Sequence, residues 1–287
     1  MHQPVLIKEV LEYLNPQPGE NFIDCTFGFG GHSQAILKRI SPQGKILGIE
    51  LNKKTLEHFK PQPGITLTQG SFADLKTIVE KEKFGPVKGI LFDLGISSWQ
   101  IQESGRGFSF QKDEPLDMRT GQGELAAKEI INQWSEEDLI KIFQDYGEER
   151  YSRSIAGAIC QKRKIEPIKT TSQLVEIIAR SVPGKYRRAR IHWATRVFQA
   201  LRIAVNNELA NLEKVLPEAV KILTKNGRLA VISFHSLEDR IVKHYFRQAA
   251  QQEFLKILTK KPIRPTQEEV EINPRSRSAK LRAVSII

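Results

Sequence analysis

Apolar positions in roughly the first third of the chain fall into short runs, and the spacing within them alternates between two periods. A helical pattern covers residues 5–14 and is stopped by "NPQPG"; "FIDC" then forms a compact apolar run suited to a buried strand. "SQAILKRI" has helical spacing and ends at "SPQG", and "KILGIE" is a second strand. "NKKTLEHF" makes a short helix closed by "PQPG", followed by the strand "ITLTQG", the helix "FADLKTIVEKEKF" and the strand "VKGILFDLG". This β-α-β-α-β-α-β rhythm, built on short apolar strands, predicts a doubly wound α/β fold with a mostly parallel sheet covered on both faces.

From Ser104 to Arg202 the rhythm stops. The stretch "SSWQIQESGRGFSFQKDEPLDMRTGQG" is a long glycine-rich loop with aromatic and charged content, and loops of that length in compact domains are usually functional. Ser135 with Asp138 and Thr170 with Gln173 have capping-box spacing and mark helix starts beyond it. A helical insertion is therefore expected, with the α/β domain split into residues 1–103 and 203–287 around an inserted segment, 104–202. A helix is expected over residues 194–223, broken near Pro217. "GRLAVISF" is a fifth strand, Ser236 with Asp239 caps the next helix, and "EFLKILT" and "LRAVSII" pair at the sheet edge.

With 40% apolar and 27% charged residues over 287 positions, the chain is globular rather than disordered. It contains no run of about 18 apolar residues, so no membrane helix is expected, and its N-terminus does not read as a secretory signal. Cys25 and Cys160 stand far apart, which argues against a disulfide framework or a zinc knuckle, and no metal is expected. A cytoplasmic protein fits these features.

Charge changes the picture once it is located. The segment 150–202 holds 13 of the 44 Lys/Arg and only two of the 33 Asp/Glu, so it carries the whole net charge of +11. A neutral body with one basic segment suggests a polyanion footprint, and nucleic acid before membrane, because no long amphipathic basic helix accompanies it. Within it, "KYRRARIHWATR" mixes Arg187, Arg188 and Arg190 with Tyr186 and Trp193, a combination suited to phosphate contacts and base stacking.

The candidate chemistry begins at "DCTFGFGGHS", where a strand ends in Asp24 and a glycine loop leads into a helix. Glycines there let backbone approach a ligand. The dinucleotide fingerprint would require glycine at Ser33; the order Asp24-x-Thr26-x-Gly28-x-Gly30-Gly31 is closer to the acidic-first loop of S-adenosylmethionine enzymes, with Thr26 in place of the first glycine. Glu50, at the end of the second strand, suits the ribose hydroxyls of a nucleoside cofactor. Asp93 ends the fourth strand, where ligands of such sheets sit, though a turn acid would occupy the same place. His235 ends the fifth strand, either in the site or beside a helix cap.

Several stretches together resemble one family, the bacterial 16S ribosomal RNA (cytosine-N4)-methyltransferases: "HQPVL" at 2–6, "GFGGHS" at 28–33, "FDLGISS" at 92–98, "RGFSF" at 106–110, "PLDMR" at 115–119, "YGEER" at 146–150, "FQALRIAVNNEL" at 198–209, "SFHSLEDRIVK" at 233–243 and "NPRSRSAKLR" at 273–282. The resemblance implies a class I methyltransferase sheet interrupted by a helical domain, S-adenosylmethionine as cofactor, and as substrate the N4 amine of a cytidine in the decoding region of small-subunit rRNA, met within the assembled particle. It implies cofactor contacts from Gly30, Gly31, His32, Glu50, Phe72, Asp93 and Gln100, with Asp93 also the best candidate for chemistry at the amine. Glu50 departs from a usual Asp, and Trp99 and Trp193 from usual Pro. Flipped bases are commonly stacked on aromatics, so Phe108 and Phe110 are RNA candidates beside Arg106, or else anchors of a long loop. Asp117 of "PLDMR" is a second acid candidate. Two rivals stand beside this reading: a dinucleotide-dependent oxidoreductase, and an RNA-binding assembly factor on a retired methyltransferase fold.

Overall fold

A computed structural model describes residues 4–96, 101, 104–121 and 123–287. The chain divides into two compact units, Met1–Gly95 with Leu209–Ile287, and Ile96–Glu208.

In the first unit, helix α1 (Ile7–Leu14) precedes strand β1 (Asn21–Asp24), followed by α2 (Gly31–Ile40), β2 (Ile46–Glu50), α3 (Lys53–Glu57), β3 (Ile65–Gln69), α4 (Leu75–Lys81) and β4 (Val87–Asp93). The second unit holds α5 (Ala127–Gln133), α6 (Glu136–Asp145), α7 (Ser152–Ile165), α8 (Thr171–Ser181), α9 (Gly184–Arg187) and α10 (Thr195–Asn206). Helix α11 (Glu208–Ile222) leads back to β5 (Leu223–Ser233), α12 (Ser236–Gln251), β6 (Leu255–Ile257), α13 (Gln267–Ile272) and β7 (Lys280–Ile286).

The seven strands form one sheet in the order β3-β2-β1-β4-β5-β7-β6. The first five run parallel, and β7 enters antiparallel to β5 with β6 antiparallel beside it, the edge pair expected from "EFLKILT" and "LRAVSII". Both faces are covered. Phe22, Ile46, Leu91 and Ile232 pack with Val10, Leu14, Ile36 and Ile40, while their strand neighbours Ile23, Leu47, Ile90 and Val231 pack with Leu75, Leu216, Val242 and Phe246. Alternation along each strand thus fills two cores, and each fully buried Leu, Ile or Phe contributes about 1.5–3 kcal/mol of transfer free energy.

The helical unit closes on its own core, including Phe143, Ile155, Leu174, Ile178 and Leu201. Ser135 and Thr170 are its N-caps as the sequence suggests: Ser135 Oγ accepts from the Asp138 N–H at 3.0 Å and Thr170 Oγ1 from the Gln173 N–H at 3.5 Å.

Two sequence expectations are corrected. The helix expected over 194–223 breaks at Asn207, which adopts φ 50° and ends α10, and not near Pro217, which lies inside α11. Asparagine tolerates the left-handed region, whereas the backbone bond lost at Pro217 is outweighed by the burial of Leu212, Val215, Leu216 and Ala219 around it. The cap of α12 is His235 with Glu238 and not Ser236 with Asp239, because the Glu238 carboxylate reaches back to the Phe234 N–H at 2.8 Å and the His235 N–H at 3.3 Å. Asp239 is instead engaged by Arg282 at 2.7 Å and Lys280 at 3.4 Å. Burial works against its charge, but those two cations hold its carboxyl below the ordinary value.

Candidate active site

Strands β1 and β4 are neighbours, yet the chain leaves β1 toward β2 and β3 and leaves β4 toward β5. Ligands of such sheets bind beyond the carboxyl ends of the strands at this switch point. Asp24, Glu50 and Asp93 are the last residues of β1, β2 and β4, so strand length alone brings three carboxylates to that edge.

Asp24 is buried and has a structural task that the sequence reading missed. Its carboxylate accepts from Ser33 Oγ at 2.7 Å and from the Thr26 N–H at 3.2 Å, stapling the glycine loop at both ends. Burial pushes its carboxyl above the ordinary value, against the lowering by those two bonds. Thr26 closes the loop on its other side, its Oγ1 accepting from the Asp93 N–H at 2.7 Å. A glycine at position 26 would lack that hydroxyl. The signal that could have found this trio is an acid ending a strand with hydroxyl residues two and nine positions later.

The loop glycines divide into two kinds. Gly28 has φ +53° and meets only the Thr26 carbonyl oxygen, at 3.8 Å, where a Cβ would stand, so the loop surface there is bare backbone. At Gly30 a Cβ would lie 2.7 Å from the Phe27 ring, and at Gly31 it would lie 2.4 Å from Cγ of Pro4. These two glycines are required by the protein's own packing.

Glu50 ties the loop to β2. One oxygen accepts from the Gly28 N–H at 3.0 Å and the other from the Asn52 N–H at 2.8 Å. Burial raises its carboxyl above the ordinary value, partly offset by those two N–H groups. Each oxygen keeps a lone pair, and hydroxyl donors would compensate a carboxylate held at that cost. Phe72 starts a 3-10 turn after β3 and stands edge-on to Phe92 of β4, ring centres 5.8 Å apart.

His32, in the first turn of α2, is buried with its Nε2 3.5 Å from Oδ2 of Asp93. Neither ring nitrogen has a hydrogen-bond partner, nor does Oδ1 of Asp93. Burial alone would lower the imidazole, but Asp93 first, then Asp24 and Glu269, outweigh it and hold it above the ordinary value. Glu269 sits on α13 and accepts the Leu6 N–H at 2.7 Å. The site therefore pairs a cation-favouring histidine with a carboxylate that has one oxygen uncommitted. The donor set fits a nucleoside cofactor, with bare loop backbone and a buried acid that keeps spare lone pairs, and it leaves the unpartnered Asp93 oxygen for a second partner.

The remaining sequence candidates are placed as follows. Gln100 and Trp99 lie outside the described residues. His235 is the cap of α12, its Nδ1 accepting from the Glu238 N–H at 3.4 Å. In the helical unit, Phe108 is 8% exposed and belongs to the core, so it is a loop anchor with no ring face left for a base. Arg106 donates through Nη1 to the carbonyls of Arg119 and Gly121 at 2.8 and 3.2 Å, which ties one edge of its guanidinium to its own loop. Phe110 stacks on His192, with ring centres 4.3 Å apart, and His192 on Trp193, 3.9 Å apart, so these rings partner one another. Asp117 is chelated by Arg119 at 2.7 and 2.9 Å, a local fastening of "PLDMR". Arg187, Arg188 and Arg190 are exposed.

A sheet of this order, closed by an antiparallel β7 and presenting acids at the ends of β1, β2 and β4 around a glycine loop, defines a class I S-adenosylmethionine-dependent methyltransferase. The chain belongs to the MraW methylase family, which it matches over residues 1–287. It is 44% identical over 301 aligned positions to the ribosomal RNA small subunit methyltransferase H of Clostridium botulinum (strain Kyoto / Type A2), covering 98% of this chain and 97% of that one. The proteins of the same name from Syntrophotalea carbinolica and Thermomicrobium roseum are 45% and 47% identical, over 99% and 100% of this chain and 97% and 94% of theirs.

Proposed function

We propose that this methyltransferase modifies the exocyclic N4 amine of a cytidine in small-subunit ribosomal RNA, within the small ribosomal particle and in the cytoplasm. The relatives named for small-subunit rRNA and the basic charge concentrated in residues 150–202 support an RNA substrate. The observation that carries the chemistry is the buried Oδ1 of Asp93, left without a hydrogen-bond partner at the carboxyl end of β4. Among the described residues no helix is long and apolar enough to cross a membrane.

S-adenosylmethionine, when bound, supplies an electrophilic methyl group. Glu50 would hold the ribose hydroxyls, the backbone at Gly28 would border the cofactor, and Phe72 would offer its ring to the adenine. Cytosine N4 is a poor nucleophile because its lone pair is delocalised into the ring. Asp93 would accept one N–H of that amine through Oδ1, favouring the rehybridised nitrogen. As the N–CH3 bond formed and the S–CH3 bond broke to leave a neutral thioether, the same oxygen would stabilise the positive charge on nitrogen and take the proton it releases. His32 steadies the same carboxylate through Oδ2, so the accepting oxygen is held in place before the substrate arrives. The helical unit supplies phosphate contacts through Arg187, Arg188 and Arg190. The target base must leave its stack to reach Asp93, and RNA bases in loops do so at modest cost.

The test supplies methyl-labelled S-adenosylmethionine and small ribosomal subunits from cells lacking this enzyme, followed by nucleoside analysis of the rRNA. Labelled N4-methylcytidine is the expected product. Label on a ribose, on another base, or on protein alone would overturn the proposal. Binding to the particle without any transfer would favour an assembly factor.

A further inference from the structure

The stretch "YGEER" at 146–150 takes no part in the site above, yet each of its residues has a defined task in the helical unit. Tyr146 accepts from Gln199 Nε2 at 2.9 Å through its carbonyl. At Gly147 a Cβ would lie 2.6 Å from the Arg196 carbonyl oxygen and 2.7 Å from that of Phe143, so backbone on two sides leaves room only for glycine. Glu148 turns the chain with φ 48°, and its carbonyl accepts from Arg196 Nη1 at 2.7 Å. Glu149 is 1% exposed, and its carboxylate accepts the Tyr151 N–H at 2.8 Å and the Tyr186 O–H at 2.5 Å.

What these contacts hold in place is Arg150. Its guanidinium lies 4.9 Å from the centre of the Tyr151 ring and 4.8 Å from that of Tyr186. The two rings are 4.9 Å apart and inclined at 65°. Tyr186 stays a donor to Glu149, its hydroxyl pushed up to about 12 by burial and by that carboxylate. Arg150 itself is exposed, and among the described residues no acceptor or carboxylate engages its N–H groups. Two ring faces attract and orient the cation while leaving its donor edge to solvent. A surface arginine of merely structural purpose would normally be paired or free to rotate; this one is fixed and unpaired.

The surroundings identify the partner. Tyr186 sits between Lys185 and Arg187 in a segment that also exposes Arg188 and Arg190, and Arg153, three residues after Arg150, lies in the first turn of α7. A preoriented guanidinium at the head of a cationic segment suits a phosphodiester, which its planar fork can grip through two oxygens. We propose that Arg150 is a phosphate-binding residue for the RNA substrate, set in place by the platform of Glu149, Tyr151 and Tyr186. This rests on the RNA reading and assigns it a contact at the first residue of the basic segment, well before the run at 185–196.

The experiment titrates fluorophore-labelled enzyme with small ribosomal subunits lacking the modification, across a salt series. Arg150→Ala is expected to weaken binding about tenfold near 0.1 M salt and to lower the slope of log K against log salt by roughly 0.7–0.9, the signature of one lost phosphate contact. Arg150→Lys is expected to recover the slope but not the affinity, since an ammonium neither stacks flat nor grips two oxygens. Tyr186→Phe, which keeps the ring and releases Glu149, should weaken binding roughly threefold. S-adenosylmethionine affinity, measured in parallel, should stay at the wild-type value in all three. Arg150→Ala with wild-type affinity and slope would overturn the assignment, as would a weakened affinity with the slope intact. Wild-type enzyme that fails to bind the subunits would instead remove the RNA reading itself.

Discussion

Nε2 of His32 lies 3.5 Å from Oδ2 of Asp93, joining the first turn of α2 to the last residue of β4. The contact turns two adjacent features of an open sheet, the glycine-loop helix and the switch-point strand, into one electrostatic unit. Its consequence is a pH dependence with a defined sign. His32 is held above its ordinary value of 6.5, against burial, by Asp93, Asp24 and Glu269. A histidine raised on folding stabilises fully below about 6.5 and loses that contribution as pH rises through the raised folded value. The difference in Tm between wild type and His32→Gln should therefore be widest near about pH 6 and shrink toward about pH 9. A thermal-unfolding series at fixed ionic strength measures it, and a gap that grows with pH would contradict the pairing.

Asp24 predicts a stability effect independent of catalysis. Ser33→Ala removes the 2.7 Å bond to a buried carboxylate and leaves that oxygen without its partner. The expected loss is about 1–3 kcal/mol in urea unfolding, with the helical unit untouched. A change within the error of the wild-type curve would mean that the carboxylate is satisfied in some other way.

Glu50 predicts a cofactor effect. Glu50→Ala takes acceptors from the Gly28 and Asn52 N–H groups as well as from the ribose, so S-adenosylmethionine should bind roughly ten- to a hundredfold more weakly by calorimetry. Glu50→Gln, with one carbonyl acceptor left, should fall between the two. Equal affinity in all three proteins would remove Glu50 from the cofactor site.

Gly147 predicts a folding defect confined to the helical unit. Its Cβ would meet carbonyl oxygens at 2.6 and 2.7 Å, and backbone cannot yield as a side chain can. Gly147→Ala should cost about 1–3 kcal/mol or more and raise hydrogen exchange in α6 and α10 before the sheet strands. Uniform exchange across both units would argue against this reading.

Much of this was legible in the sequence, and the illegible part has a physical pattern. Strands β1 to β5, the edge pair β6–β7 and the caps at Ser135 and Thr170 follow from period, punctuation and local hydroxyl chemistry, all of which act over a few residues. Asp93 and Glu50 were visible because strand ends are where such sheets present acids. Hidden were the relationships that need the third dimension: His32 against Asp93, Thr26 across to β4, and Glu149 against Tyr186, 37 residues away. The settings of Arg106 and Phe108 were hidden for the same reason. A guanidinium bound to two carbonyls of its own loop and a ring buried in a core have the same letters as an RNA contact. The helix break at Asn207 was misplaced at Pro217 because sequence favours the stronger breaker, while tertiary packing decides which one acts.

The most direct test of the account is Asp93→Asn, which preserves shape and removes the charge that accepts the amine proton. Single-turnover methylation of small ribosomal subunits would be measured beside S-adenosylmethionine affinity, with N4-methylcytidine as the product counted. The account predicts a rate lower by about a hundred- to a thousandfold, with cofactor affinity within about threefold of wild type. A variant that methylates at the wild-type rate would contradict it, because the uncommitted oxygen of Asp93 would then have no part in the chemistry.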